Sequence, residues 1–69
     1  METNEKQISR NIKSCRQKVG LYQQDVAKIM NITKQTYINI ENKPMNYSMN
    51  KLIAVSKAIG CNIDDFFIK

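Results

Sequence analysis

The sequence predicts an all-α domain, and three observations carry that expectation. Only two glycines and one proline occur in 69 residues, and Gly20, Pro44 and Gly60 stand at helical rather than hairpin intervals. No Asn-Gly or Asp-Gly pair supplies a tight hairpin turn. Between the breakers, apolar residues recur three and four apart, the repeat of one helix face. The expectation is therefore five helices joined by short turns, in a single domain spanning residues 1–69.

In the first helix Ile8, Ile12, Cys15 and Val19 form a stripe, with Lys6, Arg10, Lys13 and Lys18 off it. Gly20 suits the left-handed residue that ends such a helix. Leu21, Val26, Ala27 and Met30 give a shorter second stripe, and Asp25 in its first turn complements the helix dipole. Asn31 follows as the break, because Asn tolerates positive φ better than most residues with a Cβ.

The next segment, NITKQTYINIEN (Asn31–Asn42), is rich in Ile, Thr and Tyr and looks at first like a strand. A lone strand among helices would leave its backbone groups without partners. As a helix capped by Thr33 it sorts cleanly, with Thr36, Tyr37 and Ile40 on one side and Lys34, Gln35, Ile38, Asn39 and Asn42 on the other. Its helix propensity is mediocre, so packing must hold it. After Pro44, Ser48 caps a helix carrying Met49, Leu52, Ile53, Val55 or Ser56, and Ile59, closed by Gly60. Asn62 can cap a last short helix, with Asp64 and Asp65 in its first turn and Ile63, Phe66 and Phe67 as its apolar side.

Eleven Lys and Arg against six Asp and Glu give a formal charge of +5. Nucleic acid, an acidic protein or an anionic membrane surface would each fit that charge. There is no histidine, and Cys15 and Cys61 lie far apart with no CxxC grouping. A metal site is thus not expected; two reduced thiols packed as small apolar groups are. With no Gly-rich phosphate loop and little room for a deep pocket, neither catalytic residues nor a cofactor is expected, and the chain does not read as an enzyme. No apolar run approaches the roughly 18 residues of a membrane span, and METNEKQISR is too polar for an export signal, so a cytoplasmic location is expected. A chain this small buries only about 60% of its extended surface, so help from a disulfide, a metal or a partner subunit would be unsurprising.

The outward arc of the third helix holds no acidic residue. Lys reads guanine edges, Gln or Asn reads adenine, and Ile38 can meet a thymine methyl. The bland alternative is a solvated polar face.

LYQQDVAKIMNITKQTYINIEN, Leu21–Asn42, resembles the helix-turn-helix of the XRE family, the phage Cro and repressor type. The likeness rests on Gln23 opening the second helix, then Val26-Ala27, Met30, Ile32, Thr33-Lys34-Gln35-Thr36 and Ile40-Glu41-Asn42. RQKVGL resembles the end of that family's first helix and AVSKAIGCNIDDFF its ending, so the likeness covers roughly Ile8 to Phe67. The chain departs where Tyr22 replaces a capping Ser or Thr, where Asn31 replaces the glycine of the turn, and where Lys43-Pro44 replaces the glycine after Glu41-Asn42.

The resemblance implies a five-helix, lambda-repressor-like domain whose motif spans about 23–42. It implies a regulator binding double-stranded DNA, most simply a repressor on a palindromic operator. Lys34, Gln35, Ile38 and Asn39 would then read bases in the major groove. Gln23, Thr33, Arg16, Asn42, Lys43 and Asn46 would meet phosphates. Tyr47 would either bond a phosphate or pack under the loop. Arg16 and Glu41 would form a half-buried salt bridge that orients the first helix against the third. Lys51, Lys57 and Lys69 would be solvated charges.

Phe66, Phe67 and Ile68 cannot all turn inward. The family's dimer contact implies an interface of Cys61, Ile63, Phe66 and Ile68, with Phe67 in the core. A homodimer would set two reading helices about 34 Å apart on B-DNA. The competing reading, from another class, is an antitoxin-like or partner-binding module that uses this fold without reading DNA. A protein co-regulator is compatible with either.

Overall fold

A computed structural model describes residues 4–68; Lys69, expected to be a solvated charge, lies outside them. Four α-helices form: α1 (Glu5–Lys18), α2 (Gln23–Ile29), α3 (Lys34–Asn42) and α4 (Met49–Ile59). A short 3-10 turn, Pro44–Asn46, precedes α4, and a 3-10 helix, Ile63–Phe67, follows it. The expected fifth α-helix is thus this 3-10 segment, and the Asn62 side chain makes no cap hydrogen bond to it.

Local chemistry sets most boundaries. Asn4 caps α1 by accepting the Gln7 N–H at 2.9 Å. At its far end Gly20 takes φ +76°, and the N–H groups of Gly20 and Leu21 bond back to the Gln17 and Arg16 carbonyls. That is a Schellman motif, which satisfies two orphan carbonyls through one left-handed residue. Asn31, at φ +58°, repeats the motif after α2: its N–H bonds to the Lys28 carbonyl and that of Ile32 to the Ala27 carbonyl. Tyr22 supplies no side-chain cap for α2; instead its own backbone N–H donates to the Asp25 carboxylate at 2.8 Å. Thr33 caps α3 through the Thr36 N–H, and Ser48 caps α4 through the Lys51 N–H.

The core gathers Ile8 and Ile12 from α1, Val26 and Ala27 from α2, Tyr37 and Ile40 from α3, Leu52, Val55 and Ile59 from α4, and Phe66. Two expected stripe members are exposed. Val19 is 51% exposed because it is the C-cap of α1, and Met49 is 53% exposed at the first position of α4. Tyr47 is partly buried against the core, which favours its packing role. Phe66 and Phe67 also exchange places relative to expectation. In a 3-10 helix, residues three apart share a face, so Phe66 aligns with Ile63 and is fully buried, whereas Phe67 is only partly buried.

The fold brings together two residues the sequence keeps apart. Cys15 on α1 and Cys61 after α4 are free, half-buried neighbours. Burial and the adjacent Cys15 push the Cys61 thiol up to about 11. Among the described residues no helix is long and apolar enough to cross a membrane.

Candidate nucleic-acid interface

Helix α3 has one buried and one open side. Tyr37, Ile40 and Glu41 are buried, while Lys34, Gln35 and Asn39 are exposed and Ile38 is half-buried. The open side therefore presents a cation, two amides and one aliphatic group with no carboxylate. Gln35 Nε2 donates to Asn39 Oδ1 at 3.0 Å, so two of these side chains hold each other one turn apart. Mutual restraint of this kind reduces the rotamer freedom lost on meeting a ligand.

At the start of α3, the Thr33 hydroxyl bonds the Thr36 N–H and also lies 2.8 Å from the Thr36 hydroxyl. At its end and just beyond, Asn42, Lys43 and Asn46 are exposed. A shallow hollow between the beginnings of α2 and α3 is bordered by Arg16, Tyr22, Gln23, Gln24 and Lys34.

Beneath this surface lies a polar cluster. The Arg16 Nε donates to Glu41 Oε2 at 2.9 Å, and its Nη2 to Oε1 at 3.3 Å. The Arg16 Nη1 donates to the Leu21 carbonyl at 2.9 Å. Gln23 Nε2 adds a bond to Glu41 Oε1 at 3.0 Å, and the Tyr37 hydroxyl one to Oε2 at 2.6 Å. Glu41 is wholly buried and Arg16 is 8% exposed. Four donors on one carboxylate offset the loss of its hydration, the condition a buried charge needs.

Burial alone would lower the Arg16 pKa, but hydrogen bonding and charge from Glu41 outweigh it and raise it. Burial, then the bond to Glu41, holds the Tyr37 phenol far above its ordinary range.

This cluster bears on three expectations. The Arg16–Glu41 pair is fully rather than half buried. Each of the three guanidinium nitrogens of Arg16 already serves a protein acceptor, which gives the residue an internal, orienting part and leaves two N–H groups for the expected phosphate contact. Gln23 likewise has its side-chain amide engaged with Glu41. Sequence reading placed Tyr37 on the inward side with Thr36 and Ile40 and gave its hydroxyl no partner. The available signal was the Tyr37–Glu41 spacing of one helical turn, which puts the two side chains together.

In and beside the C-terminal 3-10 helix, Cys61 and Ile63 are half-buried and Ile68 is 56% exposed. Phe66, also expected at a dimer interface, is fully buried and so is a core residue instead.

A family model described as "Helix-turn-helix" matches residues 12–66, most of the chain. No curated protein and no solved structure gave a significant match. The matched span covers α2 and α3 with the left-handed Asn31 between them, together with the second half of α1, all of α4 and the buried Phe66. This chain belongs to the XRE-type helix-turn-helix family of DNA-binding regulators.

Proposed function

We propose that this protein is a cytoplasmic, sequence-specific transcriptional repressor that occupies a palindromic duplex site as a homodimer. The observation that carries the reading is the open side of α3, where Lys34, Gln35, Ile38 and Asn39 share an arc of the helix that holds no acidic residue. In this reading α3 enters the major groove and those four side chains meet base edges. Thr33, Asn42, Lys43 and Asn46 lie toward the phosphates, and Gln23 at the start of α2 reaches one with the second N–H of the amide that bonds Glu41. The net charge of +5 supports attraction to the duplex. Cys61, Ile63 and Ile68 form the dimer contact.

Selection of bound sites from a random duplex pool tests this directly. A two-fold motif with half-sites one helical turn apart is the expected outcome. Failure to enrich any sequence at about 0.15 M salt would favour a protein-interaction module instead.

A further inference from the structure

We propose that Cys15, Cys61 and Asp65 form a binding site for one thiophilic divalent cation of the zinc class, at the seam between α1 and the C-terminal 3-10 helix. The two sulfurs and a carboxylate oxygen of Asp65 all lie within 4.8 Å of one another. A tetrahedral ion with Zn–S of about 2.3 Å and Zn–O of about 2.1 Å holds its ligand atoms roughly 3.5–3.8 Å apart. Shifts of about 1 Å, within the reach of side-chain rotation, would close the set around an ion. Two thiolates with one carboxylate are a donor set that selects zinc, cadmium or cobalt over magnesium and calcium, which take oxygen alone.

The three donors come from positions the fold holds firmly. Cys15 lies in the third turn of α1. Cys61 follows Gly60, at φ +92°, and its N–H bonds to the Ser56 carbonyl at 3.0 Å. Asp65 sits in a 3-10 helix fastened to α1 by Asn11, whose side-chain amide donates to the carbonyls of Phe66 and Ile68. Supporting bonds of this kind orient ligands before the ion arrives. The remaining coordination position faces a cleft of about 310 Å³, bordered also by Ser14, Lys18 and Ile68. A water molecule fits there as fourth ligand. Lys18 at the rim offsets the excess negative charge that two thiolates and a carboxylate leave on a divalent ion.

The sequence conceals this site because its ligands lie in distant segments without a CxxC spacing. Cys61 and Ile68 also belong to the dimer contact proposed above, so the site is tested without DNA and at a concentration where the chain is monomeric. Reduced, full-length protein is titrated with Co²⁺ and then with Zn²⁺. One Co²⁺ per chain is expected, with thiolate-to-metal charge transfer and the strong visible absorption of tetrahedral cobalt, both lost on adding Zn²⁺. Cys15→Ser and Cys61→Ser should each weaken Co²⁺ binding at least 100-fold, and Asp65→Asn about 10- to 100-fold, with helical circular dichroism unchanged. As a measurement needing no variant, Zn²⁺ should protect both thiols of the native chain from alkylation.

Absence of the charge-transfer bands in folded, reduced protein would overturn the proposal. Equal alkylation rates with and without Zn²⁺ would do the same, as would an Asp65→Asn variant that binds as tightly as the native chain. A pair that closes into a disulfide on oxidation yet takes up no metal when reduced would make it a redox couple instead.

Discussion

The Tyr37 hydroxyl donates to Glu41 Oε2 at 2.6 Å, one turn along the buried side of α3. That bond lets a helix of mediocre propensity turn a charged residue inward, because the carboxylate's lone pairs are met from within the same helix as well as from α1 and α2. Tyr37→Phe keeps the ring and removes the donor. The expected cost is about 1–3 kcal/mol, the penalty of an under-satisfied buried acceptor. Urea denaturation at unchanged m-value measures it, and a variant as stable as the native chain would show that the bond contributes nothing.

The same contact has a pH signature. The Tyr37 pKa is raised in the folded state, so folding favours the protonated phenol. This contribution is fully present below the unfolded value of about 10 and is lost as pH rises above it. Stability measured from pH 8 upward should fall beyond about pH 10 more steeply in the native chain than in Tyr37→Phe. Parallel curves for the two would refute the assignment.

Removing one member of the ion pair should be far worse than removing both. Glu41→Ala leaves the Arg16 guanidinium buried without its counter-charge, at an expected cost of about 3–5 kcal/mol, enough to unfold much of a small domain. Arg16→Met combined with Glu41→Leu should recover a large part of that loss. A double-mutant cycle in thermal denaturation reads the difference, and strict additivity would mean that the two residues act independently.

The two adjacent phenylalanines should differ sharply. Phe66 is fully buried, and Phe66→Ala should cost about 3–5 kcal/mol. Phe67→Ala, at a partly buried position, should cost clearly less. Equal losses would contradict the 3-10 geometry that separates them.

On DNA, the open side of α3 and its flanks should separate by kind of defect. Gln35→Ala should relax preference at one base position, losing roughly 1–3 kcal/mol of discrimination. Lys43→Ala should weaken all duplexes alike and flatten the log–log salt dependence by about one unit of slope. Binding titrations at several salt concentrations distinguish the two, and identical defects would undo the division into base readers and phosphate contacts.

What the residues determined unaided is local. Helical spacing, the left-handed stops at Gly20, Asn31 and Gly60, the caps at Thr33 and Ser48, and the polarity of the two sides of α3 each depend on neighbours within one or two turns. Those preferences act through backbone sterics and nearby hydrogen bonds, which the chain carries wherever it goes. Tertiary structure alone decided that Gln23 would join Arg16 on the Glu41 carboxylate, that Phe66 rather than Phe67 would face inward, and that Cys15 would meet Cys61 beside Asp65. Val19 and Met49 left the core for a related reason, since a helix end turns its side chains by how the chain exits and not by periodicity. Such pairings join segments from different parts of the chain, and only the closure of intervening loops onto a shared core selects among them. The central claim is physical: the Glu41 carboxylate is held inside because four donors from three helices converge on it, and that convergence aims α3 outward. A folded protein in which Glu41 is solvated, or lacks Arg16 as a neighbour, would remove the basis for the rest.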